Sequence, residues 1–115
     1  MSMEVKNVAN ESILNTVKKC VGIEEDYTMF DIDIITCINA AFSTLHQLGN
    51  PSFSVSDKTA TWDDYATDES VVNAVKQYIV LKTRVNFDPP ANSSVLESMK
   101  NQIQELEWRI NVAVD

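Results

Sequence analysis

DIDIITCINAAFSTLHQL, residues 31–48, carries apolar side chains at Ile34, Ile35, Ile38, Ala41, Phe42, Leu45 and Leu48, recurring every three or four residues. That spacing places them on one face of a helix, since side chains three and four apart stack on the same side. Asp31 and Asp33 stand in its first turn, where carboxylates favour the positive end of the helix dipole. Gly49-Asn50-Pro51 ends it, because glycine reaches the left-handed conformation that closes a helix and proline cannot continue one. The pattern predicts a helix over Phe30–Leu48 that needs other helices to bury its face.

Upstream, Ile13, Leu14, Val17 and Val21 repeat the period over Glu11–Val21, with Ser12 placed to cap and Gly22 to stop. Downstream, Thr61-Trp62-Asp63-Asp64 has the form of an N-cap followed by first-turn acids and predicts a single helical turn before Thr67. Asp68 then caps a helix to Asn86, apolar at Val71, Val72, Val75, Tyr78, Ile79, Val80, Leu81 and Val85, and apolar on nearly all sides at 78–81. A helix of that kind is covered by several neighbours. Asp88-Pro89-Pro90 breaks it.

The last helix is predicted from a capping box at Ser94–Glu97 to Val114. Leu96, Met99, Ile103, Leu106, Ile110 and Ala113 form its seam, too short for a coiled coil and suited to core packing. Between the second and third helical stretches, Phe53 and Val55 alternate with Ser52, Ser54 and Ser56. Residues 51–60 therefore form either a short β-hairpin, turning at Asp57-Lys58, or a structured loop.

The fold class is all-α, a small bundle of about four main helices. The predicted core includes Ile34, Ile38, Leu45, Val75, Ile79, Leu96, Met99, Ile103 and Leu106. A length of 115 residues fits a single domain, 1–115, with residues 1–11 expected to be disordered. Cys20 and Cys37 lie within apolar-periodic runs and are expected to be buried thiols, not a disulfide framework. Met1–Asn10 has no apolar h-region, so a signal peptide is not expected. No apolar run approaches the ~20 residues that span a bilayer, and a cytoplasmic location follows.

The formal net charge is −8, from 17 acidic and 9 basic residues. Affinity for a duplex comes from lysines and arginines set against phosphates, and here Lys18–Lys19 is the only adjacent basic pair. Sequence-specific nucleic-acid binding is not expected.

Nothing in the chain points to catalytic, cofactor-binding or metal-ligating residues. His46 is the only histidine, half a turn out of phase with Cys37 on the same helix, and reads as a surface residue. Asp31-x-Asp33 and Asp63-Asp64 stand where helix N-termini favour acids anyway, and the loop Glu24–Asp33 lacks the central glycine and spaced ligands of a calcium hand.

One feature of the last helix has no place in a one-sided helix. Trp108 falls opposite the seam and Val112 one turn beyond it, forming a second apolar stripe. Either another element of the domain covers that stripe or another chain does. Glu105 and Arg109, four apart with opposite charge, support the helix beside it. Trp108, Val112, Glu105 and Arg109 are therefore the candidate protein–protein contact residues, as tryptophan is enriched at interface anchors.

The ordered set DIDIITCINAAFSTLHQLG (31–49), TWDDY (61–65), VKQYIVLKTRVNFDPP (75–90) and IQELEWRIN (103–111) resembles the head–tail connector, or head-completion adaptor, proteins of long-tailed bacteriophages and prophages. The resemblance implies a virion assembly protein, monomeric when isolated, that forms a homo-oligomeric ring under the portal with its twelve-fold symmetry. It further implies that the ring extends the DNA channel and presents a surface to a downstream neck or tail-completion protein. The chain would then work in the host bacterial cytoplasm during assembly and reside at the head–tail interface of the virion. Net negative charge is compatible with a lumen that does not grip DNA. The rival reading is a small acidic regulatory protein, of the antirepressor or antitoxin type, that docks a single target.

Overall fold

The computed structural model describes residues 10–114, with side chains from Asn10 to Asn111. The elements are α1 (Ile13–Cys20), α2 (Asp31–Gln47), the single turn α3 (Trp62–Tyr65), α4 (Glu69–Phe87) and α5 (Ser93–Val114). The fold is all-α, as expected. Most of the stretch expected to be disordered, residues 1–9, lies outside the described residues. At its end, the Glu11 carbonyl accepts from Trp62 N–H at 3.3 Å.

The helix starts and stops follow local chemistry. Ser12 Oγ accepts from Asn15 N–H at 3.2 Å, and Asp68 Oδ1 accepts from Ser70 N–H at 3.0 Å. Both glycines take positive φ, 84° at Gly22 and 104° at Gly49. Each lets the chain fold back so that Ile23 N–H reaches Lys18 O at 2.8 Å and Asn50 N–H reaches Leu45 O at 3.0 Å, satisfying carbonyls that a helix end otherwise leaves open. The start of α5 differs from expectation. Asn92, not Ser94, is the cap, its Oδ1 accepting from Ser94 N–H at 2.8 Å and Val95 N–H at 3.2 Å. Asparagine caps as well as serine, and it stands two residues nearer the Pro89-Pro90 break.

α4 is the central helix. α2 packs on it from one side and α5 from another, and α1 and α3 make smaller contacts with it. Tyr78 and Ile79 are fully buried there, and Ile13, Leu14, Val17, Ile34, Ile38, Phe42, Leu45, Val75, Ile103, Leu106 and Ile110 join them in one core. Every predicted core residue is buried except Leu96, which is half-covered near the start of α5. Both cysteines are free, but the expected burial fails: Cys20 is exposed and Cys37 half-buried. In α1 it is Lys18 that turns inward, 1% exposed, with Nζ 2.8 Å from Asp31 Oδ1 and donating to Glu25 O at 2.8 Å. A buried ammonium needs such partners, because an unpaired charge costs several kcal/mol to remove from water.

Residues 51–60 form the structured loop and not the hairpin. The alternation read from the sequence is real, with Val55 buried and Phe53 half-buried while Ser52, Ser54 and Ser56 face solvent. The partner of this extended piece is a side chain. Asn39 Nδ2 donates to Val55 O at 2.9 Å and Val55 N–H donates to Asn39 Oδ1 at 2.7 Å, so one amide from α2 does the work of a neighbouring strand. Phe53 packs edge-on to Phe42 and Tyr65, with ring centroids 5.0 and 5.4 Å away. The only strand-like pairing among the described residues is a single antiparallel bridge, Ser12 with Thr61. Beside it Trp62 is buried, its Nε1 donating to Thr16 Oγ1 at 3.3 Å, which ties α3 to α1.

Candidate protein-interaction surfaces

Two of the sequence-selected acids are occupied with the structure around them. Asp31 pairs with Lys18, and Asp64 accepts from Thr61 N–H at 2.9 Å, beside Asp63 in the same turn. His46 is exposed, its Nδ1 3.0 Å from Asn50 O at the end of α2. Cys37 lies beside Asp33; burial first, and then that carboxylate, push its thiol pKa up, away from the thiolate form that reacts. Among the described residues no three or more His, Cys, Asp or Glu side chains gather as they would around a metal ion. No described helix is long and apolar enough to cross a membrane.

On α5, Met99, Ile103, Leu106 and Ile110 form the buried seam, and α4 is the element that covers it. At 3.6 residues per turn Trp108 projects from the opposite side. It is 68% exposed, so no described element of the fold covers the indole. Glu105 and Arg109 form the expected ion pair beside it, exposed to solvent, where such a pair adds little stability. The Val112 side chain lies outside the described residues. α5 is also tied to α4 beside the seam, where the buried Tyr78 hydroxyl donates to Glu107 Oε2 at 2.8 Å. Glu107 is thereby turned toward α4, and the next residue, Trp108, points away.

A second apolar surface was not anticipated. Tyr27, Met29, Phe30 and Ile32, at the entry to α2, are all exposed, Met29 by 73% and Ile32 by 79%. The Phe30 ring lies 5.8 Å from that of Tyr27 and 5.6 Å from that of Phe87 at the end of α4, and the Tyr27 hydroxyl donates to Met29 Sδ at 3.4 Å. One sequence signal could have found it. Ile32 falls off the Ile34–Ile38–Ala41–Leu45 stripe, so a helix that buries the stripe must expose Ile32.

A family model described as a phage connector protein matches residues 13–115 of the chain. No curated protein and no solved structure matches it.

Proposed function

This chain belongs to the phage connector protein family, and we propose that it acts as a structural part of the phage neck, assembling as a ring beneath the portal and extending the DNA path toward the tail. The observation that carries the connector role is the family match across residues 13–115, which favours it over the regulatory reading. The contact face that supports assembly is α5. A ring of identical subunits needs one surface on each chain to meet a different surface on its neighbour, and a second set of contacts to hold the portal. Trp108, with Glu105 and Arg109 beside it and Val112 one turn on, makes an inter-subunit or portal contact. α5 suits that task because its seam is already satisfied by α4, leaving the outer face free to bind without unfolding anything.

The charge of the chain, −8, fits a wall that DNA passes without adhering, since like charges repel along the path. No catalytic step is part of this reading, and the chain works by binding. The test is to mix the purified protein with its cognate portal and image the product by electron microscopy. The expected result is added ring density on the tail-facing side of the portal, with the portal's symmetry. Failure to associate with the portal under conditions where both proteins are folded would sink the reading.

A further inference from the structure

The apolar surface at the entry to α2 differs from the α5 face in its chemistry. Its side chains are interleaved with acids: residues 24–33 read EEDYTMFDID, five carboxylates and no base. Asp31 is neutralised by Lys18, whereas Glu24, Glu25, Asp26 and Asp33 are all exposed. Tyr27 lines a shallow cleft of about 460 Å³ together with Gly22, Ile23, Glu24 and Asp26, so the acids and the aromatic edge share one recess. The basic group in the last turn of α4, one turn before Phe87, is Arg84. The surface is also held in shape. The Lys18 ammonium grips Glu25 O at one end of the loop and Asp31 at the other, which lowers the ordering cost of binding.

We propose that Tyr27, Met29, Phe30, Ile32 and Phe87 form a docking surface for a protein segment that presents apolar side chains among lysines or arginines, and not for a second copy of this chain. Exposed apolar patches mark interaction sites, and the rim of charge selects what approaches. A second copy brings net negative charge to a negative rim, and so do a nucleic acid and an anionic membrane. The α5 face has no such bias, since Glu97, Lys100, Glu105 and Arg109 mix both signs there. The inference deepens the connector reading: a subunit held to its neighbours by one face needs another face, of different chemistry, for a different protein.

The test uses the full chain and two synthetic amphipathic helices of about 18 residues, long enough to form helix, one built from leucine and lysine and the other from leucine and glutamate. Binding is followed by calorimetry and mapped by amide chemical shifts. The Leu/Lys helix is expected to bind with shifts centred on residues 24–33, and the Leu/Glu helix is not. M29S/I32S, which keeps every charge, is expected to weaken binding at least about tenfold, a loss typical of removing an interface anchor. E25Q/D26N, which keeps every apolar group, is expected to weaken it and to flatten its salt dependence. Equal binding of both helices, or undiminished binding to M29S/I32S, would overturn the proposal. So would dimerisation of the isolated chain that M29S/I32S abolishes, which would make the occupant a second copy. None of these readouts involves the portal. A chain that binds the Leu/Lys helix here but ignores the portal removes the connector reading alone, and one that joins the portal but fails here removes this surface alone.

Discussion

The Tyr78 hydroxyl and the Glu107 carboxylate meet at 2.8 Å across the α4–α5 interface, a directional tie added to the apolar seam that turns α5 toward α4. The seam alone leaves α5 free to roll by a fraction of a turn, because Met99, Ile103, Leu106 and Ile110 offer only non-directional packing. A hydrogen bond from a buried phenol removes that freedom. Burial, and secondarily Glu107, hold the Tyr78 phenol well above its ordinary pKa of 10.0, and burial raises Tyr65 as well.

The folded chain keeps these protons more tightly than the unfolded chain, which releases them near pH ~10. Their contribution to stability is whole below that pH and declines as the pH climbs through and beyond it. Urea unfolding at about pH 8 and about pH 11 should show a loss in the wild type that Tyr78→Phe reduces, at a cost of about 1 kcal/mol for the missing hydrogen bond at the lower pH. Parallel losses in the two proteins would show that the contact is not a source of the alkaline decline.

Asn39→Ala should be more damaging than its place on a helix suggests. The amide is the partner of both the N–H and the C=O of Val55, a residue whose side chain is buried. Removing it leaves two backbone groups short of partners, which predicts a loss of about 2–4 kcal/mol, and amide exchange at Val55 should rise well before the rest of the fold opens. An unchanged exchange rate at Val55 would show that water replaces the amide without penalty.

What could be read from the sequence, and what could not, divides along range. Ser12, Asp68, Gly22 and Gly49 act on atoms within a few residues, so their types alone located four helix ends. The α2 and α5 stripes were equally plain, because helical period is a local property. Asn39 and Lys18 were not singled out, since an asparagine or lysine declares nothing until a loop returns to it: Val55 is 16 residues from Asn39, and Asp31 is 13 from Lys18. The hairpin alternative at 51–60 arose for the same reason. Alternation marks an extended segment, and it cannot show that the facing surface is a helix with a single amide. For Trp108 the helical wheel identified the face but not whether a neighbour lay over it. Only the packing of α5 against α4 answers that.

Ile38→Ala and Ile103→Ala test the core at its centre and at its edge. Ile38 is fully enclosed and Ile103 nearly so, so each deletion should cost about 2–5 kcal/mol through lost burial and a residual cavity, with Ile38 the larger. Denaturant midpoints with unchanged slopes would measure it. A shift well below ~1 kcal/mol at both positions would contradict the packing described for α2 and α5.

Duplex DNA should not be retained by the isolated chain at physiological salt. Stable duplex binding rests on several phosphate contacts by basic side chains, whereas the bases of this chain are outnumbered 17 to 9 by acids. One of those bases, Lys18, is buried in its ion pair with Asp31. A gel shift that survives about 200 mM salt would require a basic surface that the described residues do not contain.

Trp108→Ala separates folding from assembly. The indole is exposed and the seam beneath it belongs to other residues, so truncation opens no cavity and the stability of the isolated chain should move by less than about 0.5 kcal/mol. At an interface the same change removes an anchor of a type that is worth about 2 kcal/mol or more when covered, so association with the portal or with neighbouring subunits should weaken by more than about tenfold. Glu105→Ala, beside it, breaks only a solvated ion pair, so the stability of the isolated chain should hardly move, and association should weaken by less than the loss of the tryptophan anchor causes. That contrast makes the prediction specific to the tryptophan. Thermal unfolding and portal co-sedimentation of the two variants measure both halves, and a Trp108→Ala chain that assembles like the wild type removes α5 from the contact face.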